Sequence, residues 1–463
     1  MITRDEIETK ADEFEISAAN VERDYVFGWI LAGIYTVSEL RSVLIFKGGN
    51  CFRKAYFPLT RFSNDLDFST QSAVDQDFLR REFVRVCEFA AGLSGVQFEP
   101  DRMRVEPQQQ IDGQRTVYDI RIYFKDFYGN PDTCTISVSL DVVEFDTIYL
   151  PTQQRSLIHP YSDSDQCQAE LRCVKLEEML AGKIKCLLQR QHIADLYDLA
   201  FSVIVNRDIE VNRGEVVSTF LKKTIFEPSP LTAKQLLLDL PLQALRGGWT
   251  KYIICPVQSI LDWDAAVFSL RDFVETLFVG YQPTYAGASY FPSPMRANIM
   301  DAGTARKVVR LTYHGVTRLV EPYSLVFKRR RDGVGQEYLY VYDLTGGRTS
   351  GPGIKSLIHS DIEQMEVTDQ EFTPRFAVAT ARAGEFGDRT QFSRGAGVRQ
   401  PSGPRRSVGS VFHRPKWRYT YQCAYCGRQF VHEKRSSSLN KHNNTYGCQC
   451  HGRRGTFVSQ EYS

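Results

Sequence analysis

The chain has 463 residues, 42% of them apolar and 24% charged, with 57 Lys/Arg against 55 Asp/Glu for a net charge of +2. That is room for two to four domains, each with its own core, and an ordinary globular composition. No apolar run reaches the roughly 18–20 residues of a membrane-spanning helix, and the acidic start MITRDEIETKADEFEIS lacks the order of a signal peptide; a soluble, cytoplasmic protein is expected.

Charge and cysteine are both unevenly spread. Residues 376–463 hold fifteen Lys/Arg and four Asp/Glu, a net of +11, which leaves −9 for residues 1–375. A basic tail favours polyanions, because each phosphate it neutralises releases counterions. Of the eleven cysteines, seven are scattered from Cys51 to Cys255 and four crowd between Cys423 and Cys450. Scattered thiols behave as small buried apolar groups, whereas clustered ones point to metal.

In chain order, residues 1–40 read as helical, with the amphipathic stretch VERDYVFGWILAGIYTVSEL leading into the strand SVLIFKGG. FLRREFVRVCEFAAGL (78–93) has apolar residues at helical spacing. VEPQQQI, TVYDIRIYF and CTISVSLDVVEF follow as strands, the last two joined by a turn-rich loop into a hairpin or meander. Residues 174–204 form a long helical stretch broken near His192, and helical material runs on to about residue 280 with breaks at EPSP and RGGW. From about residue 295, four strand-like runs divided by glycine-rich turns have the pattern of a small β-barrel. Residues 377–415, rich in Gly, Arg, Ser and Pro, read as a basic disordered linker, and 416–463 carry the cysteine cluster.

The chemistry concentrates in LIFKGGNCFRKAYFPLTRFSNDLDFS, residues 44–69. Gly48 and Gly49 let the backbone approach a ligand closely, and the helix that follows presents N–H groups to phosphate. Asp65 and Asp67 alternate on one strand and therefore share a face. Alone, such a pair suits a solvated edge strand better. Beside the glycine turn it suits one or two Mg²⁺ ions that clamp a triphosphate and activate a hydroxyl. Asp141, at the end of an alternating apolar strand, is the expected third carboxylate.

These residues resemble the signature of AbiEii/AbiGii-type nucleotidyltransferase toxins, within the DNA polymerase β-like superfamily. The matching positions are Gly48, Gly49, Arg53, Lys54, Arg61, Ser63, Asp65 and Asp67, and then Lys183, Asp195 and Asp198 in LEEMLAGKIKCLLQRQHIADLYDLA. Ala194 stands where that family usually has Arg, and Phe52 where Leu is commoner. The resemblance covers about residues 40–205 and implies that Asp65, Asp67 and Asp141 hold Mg²⁺. It further implies that Gly48 and Gly49 cradle phosphates and that Lys54 and Lys183 meet the triphosphate or the leaving pyrophosphate. Arg61, Ser63, Asp195 and Asp198 join them as nucleotide-site residues; as plain chemistry, Asp195 and Asp198 equally suit a structural network with Lys183. An NTP substrate, an RNA acceptor (the 3′ end of tRNA) and a cognate antitoxin follow from the same resemblance.

The strands after residue 295 resemble a WYL domain through Tyr313, Glu321-Pro322-Tyr323, Tyr338-Leu339 and Phe372, with Glu337 in place of the tryptophan of the name. The cationic run KRRRDG (328–333) suits phosphate contact and suits a solvated turn as well. In the tail, Cys423-x2-Cys426 has the form of a zinc knuckle. His442, Cys448, Cys450 and His451 are candidates for the second pair, with His442 and Cys450 favoured and Cys448 the alternative.

The expected whole is an α+β chain: a polymerase β-like nucleotidyltransferase domain at 1–225, a helical extension at 226–292, a WYL/SH3-like β-barrel at 293–376, the linker, and a zinc ribbon at 416–463. Its expected reaction moves a nucleoside monophosphate from an NTP onto RNA, in a toxin–antitoxin or phage-defence system. The rivals are transfer to a protein hydroxyl, and a ligand-sensing regulator that binds nucleic acid without catalysis.

Overall fold

A computed structural model describes residues 2–109, 116–125, 127, 135–204, 210–282, 288–331, 334–347, 350–378, 417–423, 429–432, 439, 442–443, 449–450 and 455–462. The chain divides into two units, residues 1–123 with 137–385, and residues 124–136 with 386–463. The expected segments 1–225, 226–292 and 293–376 fall mainly within the first. Nearly all of the expected linker lies outside the described residues. Among the described residues no helix is long and apolar enough to cross a membrane.

The first unit opens with α1 (Arg4–Phe14), whose N-terminus is capped by the Thr3 hydroxyl accepting from the Glu6 amide at 3.2 Å. Then comes α2 (Ala18–Thr36), in which Val21, Glu22 and every residue from Asp24 to Tyr35 are buried. The stretch was expected to be amphipathic. Instead α1, α5 and strand β7, defined below, enclose it from several sides, so its charged Glu22 and Asp24 are buried too. After α3 (Leu40–Val43), β1 (Ile45–Lys47) runs into α4 (Gly48–Cys51), which continues as a π-helical turn over Phe52–Tyr56. Strand β2 (Asp65–Thr70) precedes α5 (Gln76–Ser94), capped by Asp75 and stopped at Gly95 with φ +73°.

Five more strands complete the sheet: β3 (Arg104–Gln109), β4 (Thr116–Lys125), β5 (Thr135–Glu144), β6 (Gln153–Ser156) and β7 (Glu170–Cys173). Their order is β3-β4-β5-β2-β1-β7-β6. Strand β2 is antiparallel to β1 and parallel to β5, and β1 is parallel to β7. The carboxylate-bearing strands thus stand in the middle of a mixed sheet, where edge fraying does not reach them.

The helical run breaks as expected, into α6 (Leu176–Arg190) and α7 (Ile193–Ile204), with Gln191 left-handed at φ +49° between them. Helices α8 (Arg213–Lys222), α9 (Pro230–Leu238), α10 (Trp249–Tyr252) and α11 (Trp263–Leu277) follow, and the α8–α9 break falls at EPSP.

After the short β8 (Ala288–Ser289) and α12 (Ser293–Thr304) come β9 (Lys307–Tyr313), β10 (Val316–Arg329), β11 (Gly335–Asp343), β12 (Gly353–Leu357) and β13 (Ile362–Glu371). The expected barrel is not closed: the order is β12-β11-β10-β9-β13 with β8 on β11, so β12 and β13 are separate edges. The five-residue β12 reaches only β11, and a bulge at Pro322/Ser324 bends β10, where proline has no N–H to donate. Helix α12 closes the core over this sheet. Glu337, at the position expected for the WYL tryptophan, is fully buried and accepts from Arg296 at 2.9 and 2.7 Å and from the Phe291 amide at 2.8 Å. This buried ion pair ties α12 to the sheet.

In the second unit, β14 (Trp417–Cys423) lies between β15 (Gln429–His432) and β18 (Gly455–Tyr462), while β16 (His442–Asn443) pairs with β17 (Gln449–Cys450).

Candidate active site

The site is built where β1 ends. Gly48 has φ +79°, a conformation glycine tolerates and other residues avoid. A Cβ at Gly48 would lie 2.0 Å from Asp67 Oδ2, and one at Gly49 would lie 2.8 Å from both Arg61 Nη2 and Ser63 Oγ. Both glycines are therefore required by close approach, and the backbone they free lies against Asp67, Arg61 and Ser63.

The three expected carboxylates are brought to neighbouring positions. Asp65 and Asp67 alternate along β2, and the parallel register places Asp141 of β5 directly beside Asp67, with Ser139 beside Asp65. The Ser63 hydroxyl donates to Asp65 Oδ1 at 2.9 Å, and the Asn50 amide donates to the Asp65 carbonyl at 2.6 Å. Burial, together with the charges of Asp65 and Asp141, pushes Asp67 up to about 7, against the opposing pull of Lys47 and Lys183. Among the described residues no three acidic, His or Cys side chains form a ready-made metal cage. The donor set nonetheless fits a hard divalent cation: carboxylate oxygens from two adjacent strands, in mutual repulsion that a +2 charge relieves.

Beside the carboxylates lies a buried ionic network. Arg61 Nε and Nη2 donate to the two Asp198 oxygens at 2.7 and 2.8 Å. Lys183 Nζ stands 2.7 Å from Asp198 and 3.0 Å from Asp195, and Arg190 donates to Asp195 at 2.8 and 2.9 Å. Burial works to raise Asp195 and Asp198, but Arg190, Lys183 and Arg61 outweigh it and hold both below the usual carboxylate range. Burial likewise works to lower Lys183, and Asp198 and Asp195 reverse it. The same geometry pushes neutral His192 down to about 4, through burial and then the charges of Arg190, Arg61 and Lys183, against Asp195. Lys183, Arg61, Asp195 and Asp198 thus act as one unit, and Lys183 and Arg61 both feel the carboxylates of β2.

Lys54 is placed elsewhere. Expected at the triphosphate, it is 1% exposed and donates to Asp24 Oδ2 at 2.8 Å. Arg53 donates to Asp24 Oδ1 and the Tyr161 hydroxyl to Oδ2, each at 2.8 Å. The helical turn that carries Arg53 and Lys54 directs both onto α2, so their charges are spent holding that turn to Asp24.

Three residues on the site's border are not among the matching positions of the resemblance. Lys47, the register partner of Asp67, donates to Asp146 at 2.6 Å, and the Ser69 hydroxyl donates to the same carboxylate at 2.8 Å. Arg190 supplies Asp195 with the guanidinium that Ala194 does not. Lys47 carries a signal, since it precedes the glycine pair, and Arg190 lies five residues before Asp195; Asp146 carries none, as long-range pairing alone selects it.

In the second unit Cys423 is buried and His442 and Cys450 are Cα partners on a two-stranded ladder. Cys426, Cys448 and His451 lie outside the described residues.

Comparison with known proteins gives the family. No curated protein matches the chain. Among solved structures, the chain is similar to MenT4, a nucleotidyltransferase toxin from Mycobacterium tuberculosis H37Rv, at 20% identity and a TM-score of 0.39, over 60% of this chain and 90% of that one. A family model described as nucleotidyl transferase AbiEii toxin, type IV toxin–antitoxin system, matches residues 29–268, a span that holds the glycine turn, all three carboxylates and the ionic network. That span is more than half of the chain, which is therefore a nucleotidyltransferase belonging to the AbiEii toxin family of type IV toxin–antitoxin systems.

Proposed function

We propose that the enzyme transfers a nucleoside monophosphate from an NTP to an RNA acceptor, the 3′ end of a tRNA being the leading choice, and that Asp65, Asp67 and Asp141 hold Mg²⁺ for this reaction. A cognate antitoxin restrains it, as family membership implies. The observation that carries the reading is the pairing of Asp67 with Asp141 in register, with the bare backbone of Gly48 lying against Asp67.

In the reaction the acceptor hydroxyl oxygen forms a bond to the α-phosphorus, its proton passes to a carboxylate such as Asp141 or to solvent, the bond from that phosphorus to the bridging oxygen breaks, and pyrophosphate leaves. Mg²⁺ held by Asp65, Asp67 and Asp141 would supply charge neutralisation on the phosphates and acidify the attacking hydroxyl. The protein's own residues position. Gly48 and Gly49 leave room for phosphate oxygens beside the carboxylates. Lys183 and Arg61, held by Asp195 and Asp198, add positive potential at the border of the site. Ser63 fixes the rotamer of Asp65. Such pre-set charges need no reorganisation as the reaction proceeds.

The test is incubation of the purified protein with each radiolabelled NTP and total RNA, followed by separation of RNA from protein. Label in RNA that disappears in the Asp65→Asn/Asp67→Asn double variant supports the reading. Label in protein transfers the assignment to protein modification, and no label in either with unchanged toxicity of the double variant in cells favours a non-catalytic regulator.

We infer in addition that the C-terminal module binds one structural Zn²⁺ through Cys423, Cys426, His442 and Cys450. The register pairing of His442 with Cys450 and the burial of Cys423 support this. Elemental analysis of the full chain is expected to give about one zinc, absent from Cys423→Ser/Cys426→Ser.

A further inference from the structure

Exposed aromatic and cationic side chains stand on a series of contacting segments that starts beyond the carboxylates. It begins at Phe145, just past the end of β5 and four residues beyond Asp141, or about 13 Å along an extended strand. Phe145 is 56% exposed and has φ +50°, a left-handed conformation that is a genuine outlier for a bulky aromatic. The next residue holds it there, since Asp146 is pinned by Lys47 and Ser69 on the active face of the sheet. Backbone strain of this kind persists where the surroundings impose it, and it clusters at functional sites.

The series continues through the same loop. Tyr149 is 42% exposed, and its hydroxyl donates to the Lys222 carbonyl at 3.1 Å. Lys223 donates to the Thr147 carbonyl at 2.9 Å and lies 5.3 Å from the Tyr149 ring, which fixes the loop to the end of α8. Lys222 itself is exposed. Just after it, Ile225 packs so closely on Gly335 that a Cβ there would come within 2.6 Å. Gly335 pairs with Arg329 at the base of the β10–β11 hairpin, whose next residues, Arg330 and Arg331, are exposed. The exposed acid Glu227 is near the same junction.

We infer that Phe145, Tyr149, Lys222, Arg330 and Arg331 form a track for a single-stranded nucleic acid, which guides the acceptor's unpaired end to the carboxylates. Aromatic faces suit unstacked bases, and the cations that follow suit the phosphates of the same strand. An apolar peptide would leave these cations idle, and a duplex would keep its bases from the rings. The inference rests on the RNA-acceptor reading above and deepens it.

The test measures binding of a fluorescent twelve-nucleotide single-stranded RNA by anisotropy, with the Asp65→Asn/Asp67→Asn protein as parent so that no turnover intervenes. Phe145→Ala/Tyr149→Ala is expected to weaken binding by about 5–150-fold for each base left unstacked, with the salt dependence unchanged. Arg330→Ala/Arg331→Ala is expected to weaken binding and to flatten the slope of log K against log salt by about 1.4, roughly 0.7 for each phosphate left without its cation. Lys222→Glu, on the solvent side of α8, is a second charge variant should the hairpin pair unfold. Unchanged affinity and slope in these variants, while the wild-type enzyme still labels RNA, overturn the track and leave the acceptor reading standing. Failure of the parent to bind RNA, with wild-type label passing to protein, overturns both.

Discussion

Asp67 and Asp141, separated by more than seventy residues of chain, are register partners on parallel neighbouring strands, and the backbone of Gly48 lies against the Asp67 carboxylate. Two like charges side by side are unfavourable unless a cation joins them. That repulsion, and the ionic networks around it, can be probed in four ways.

Replacing Asp67 or Asp141 by Asn is expected to cut nucleotide transfer by about 10²–10³-fold or more, as removing a principal electrostatic contact does. In metal-free buffer Asp67→Asn is expected to melt higher than wild type, because it removes a mutually repelling carboxylate. Mg²⁺ should raise the Tm of wild type only. Paired thermal melts with and without Mg²⁺ check both statements.

Gly48→Ala places a Cβ on Asp67 Oδ2 and demands φ +79° of an L side chain. It is expected to cost about 1–3 kcal/mol and to abolish transfer. Gly92→Ala, at a position in α5 where nothing lies within 4 Å of the new atom, is expected to be neutral or to stabilise by about 0.5–1 kcal/mol through helix propensity. Denaturant unfolding of the two variants separates them.

Asp24→Asn leaves buried Arg53 and Lys54 without a counter-charge, and a destabilisation of about 3–5 kcal/mol is expected. Lys54→Met keeps the Arg53–Asp24 pair and is expected to cost less. If Lys54 is structural, Lys54→Met lowers the Tm and leaves the KM for NTP within about twofold. A raised KM at an unchanged Tm would instead place the ammonium on the nucleotide. The order Asp24→Asn, then Lys54→Met, read by chemical denaturation, tests the charge assignment.

Asp67, pushed up to about 7, gains stability by protonation as pH falls from there towards 3.8; in the Asp67→Asn background, where that gain is absent, stability is expected to decline on acidification in two stages. His192 and His159 are both held below the ordinary 6.5 by burial, His192 at about 4. The unfolded chain therefore binds their protons more tightly than the folded one, and their contribution is complete above pH 6.5 and is lost as pH falls from there towards 4. Asp24, Asp195 and Asp198 are held below 3.8, so theirs is present above that value and is lost below it. His192→Asn is expected to flatten the first stage and leave the second; unfolding free energies from pH 8 to 3 give the comparison.

Much of the site is legible in the amino-acid order. Asp65 and Asp67 alternate within six residues, so strand geometry alone puts them on one face. Lys183, Asp195 and Asp198 sit on two helices whose break near His192 is marked by the change of pattern, and they do share one ionic network. Lys54 has the look of a substrate residue because it lies next to the glycine turn in sequence. Its direction depends on the rotation of a short helical turn, and that rotation is set by Asp24 on a helix some thirty residues earlier. Glu337 is equally hard to read locally: in the place of a tryptophan it suggests a missing aromatic, yet with Arg296 it forms a buried pair that no local pattern announces. The barrel expectation fails for a similar reason, since turn-divided strands show neighbours in sequence but not whether the two ends meet.

The sequence by itself determined the alternating aspartates, the glycines that must stay bare, the helix break and the polarity of the tail, because each depends on backbone periods or composition over a few residues. Only the folded chain decided that β5 stands parallel to β2 with Asp141 at Asp67, that Lys183 joins Asp195 and Asp198, and that Lys54 turns to Asp24. Those choices are made by burying the apolar faces of segments far apart in the chain, and the charged side chains go where that packing leaves a partner for them.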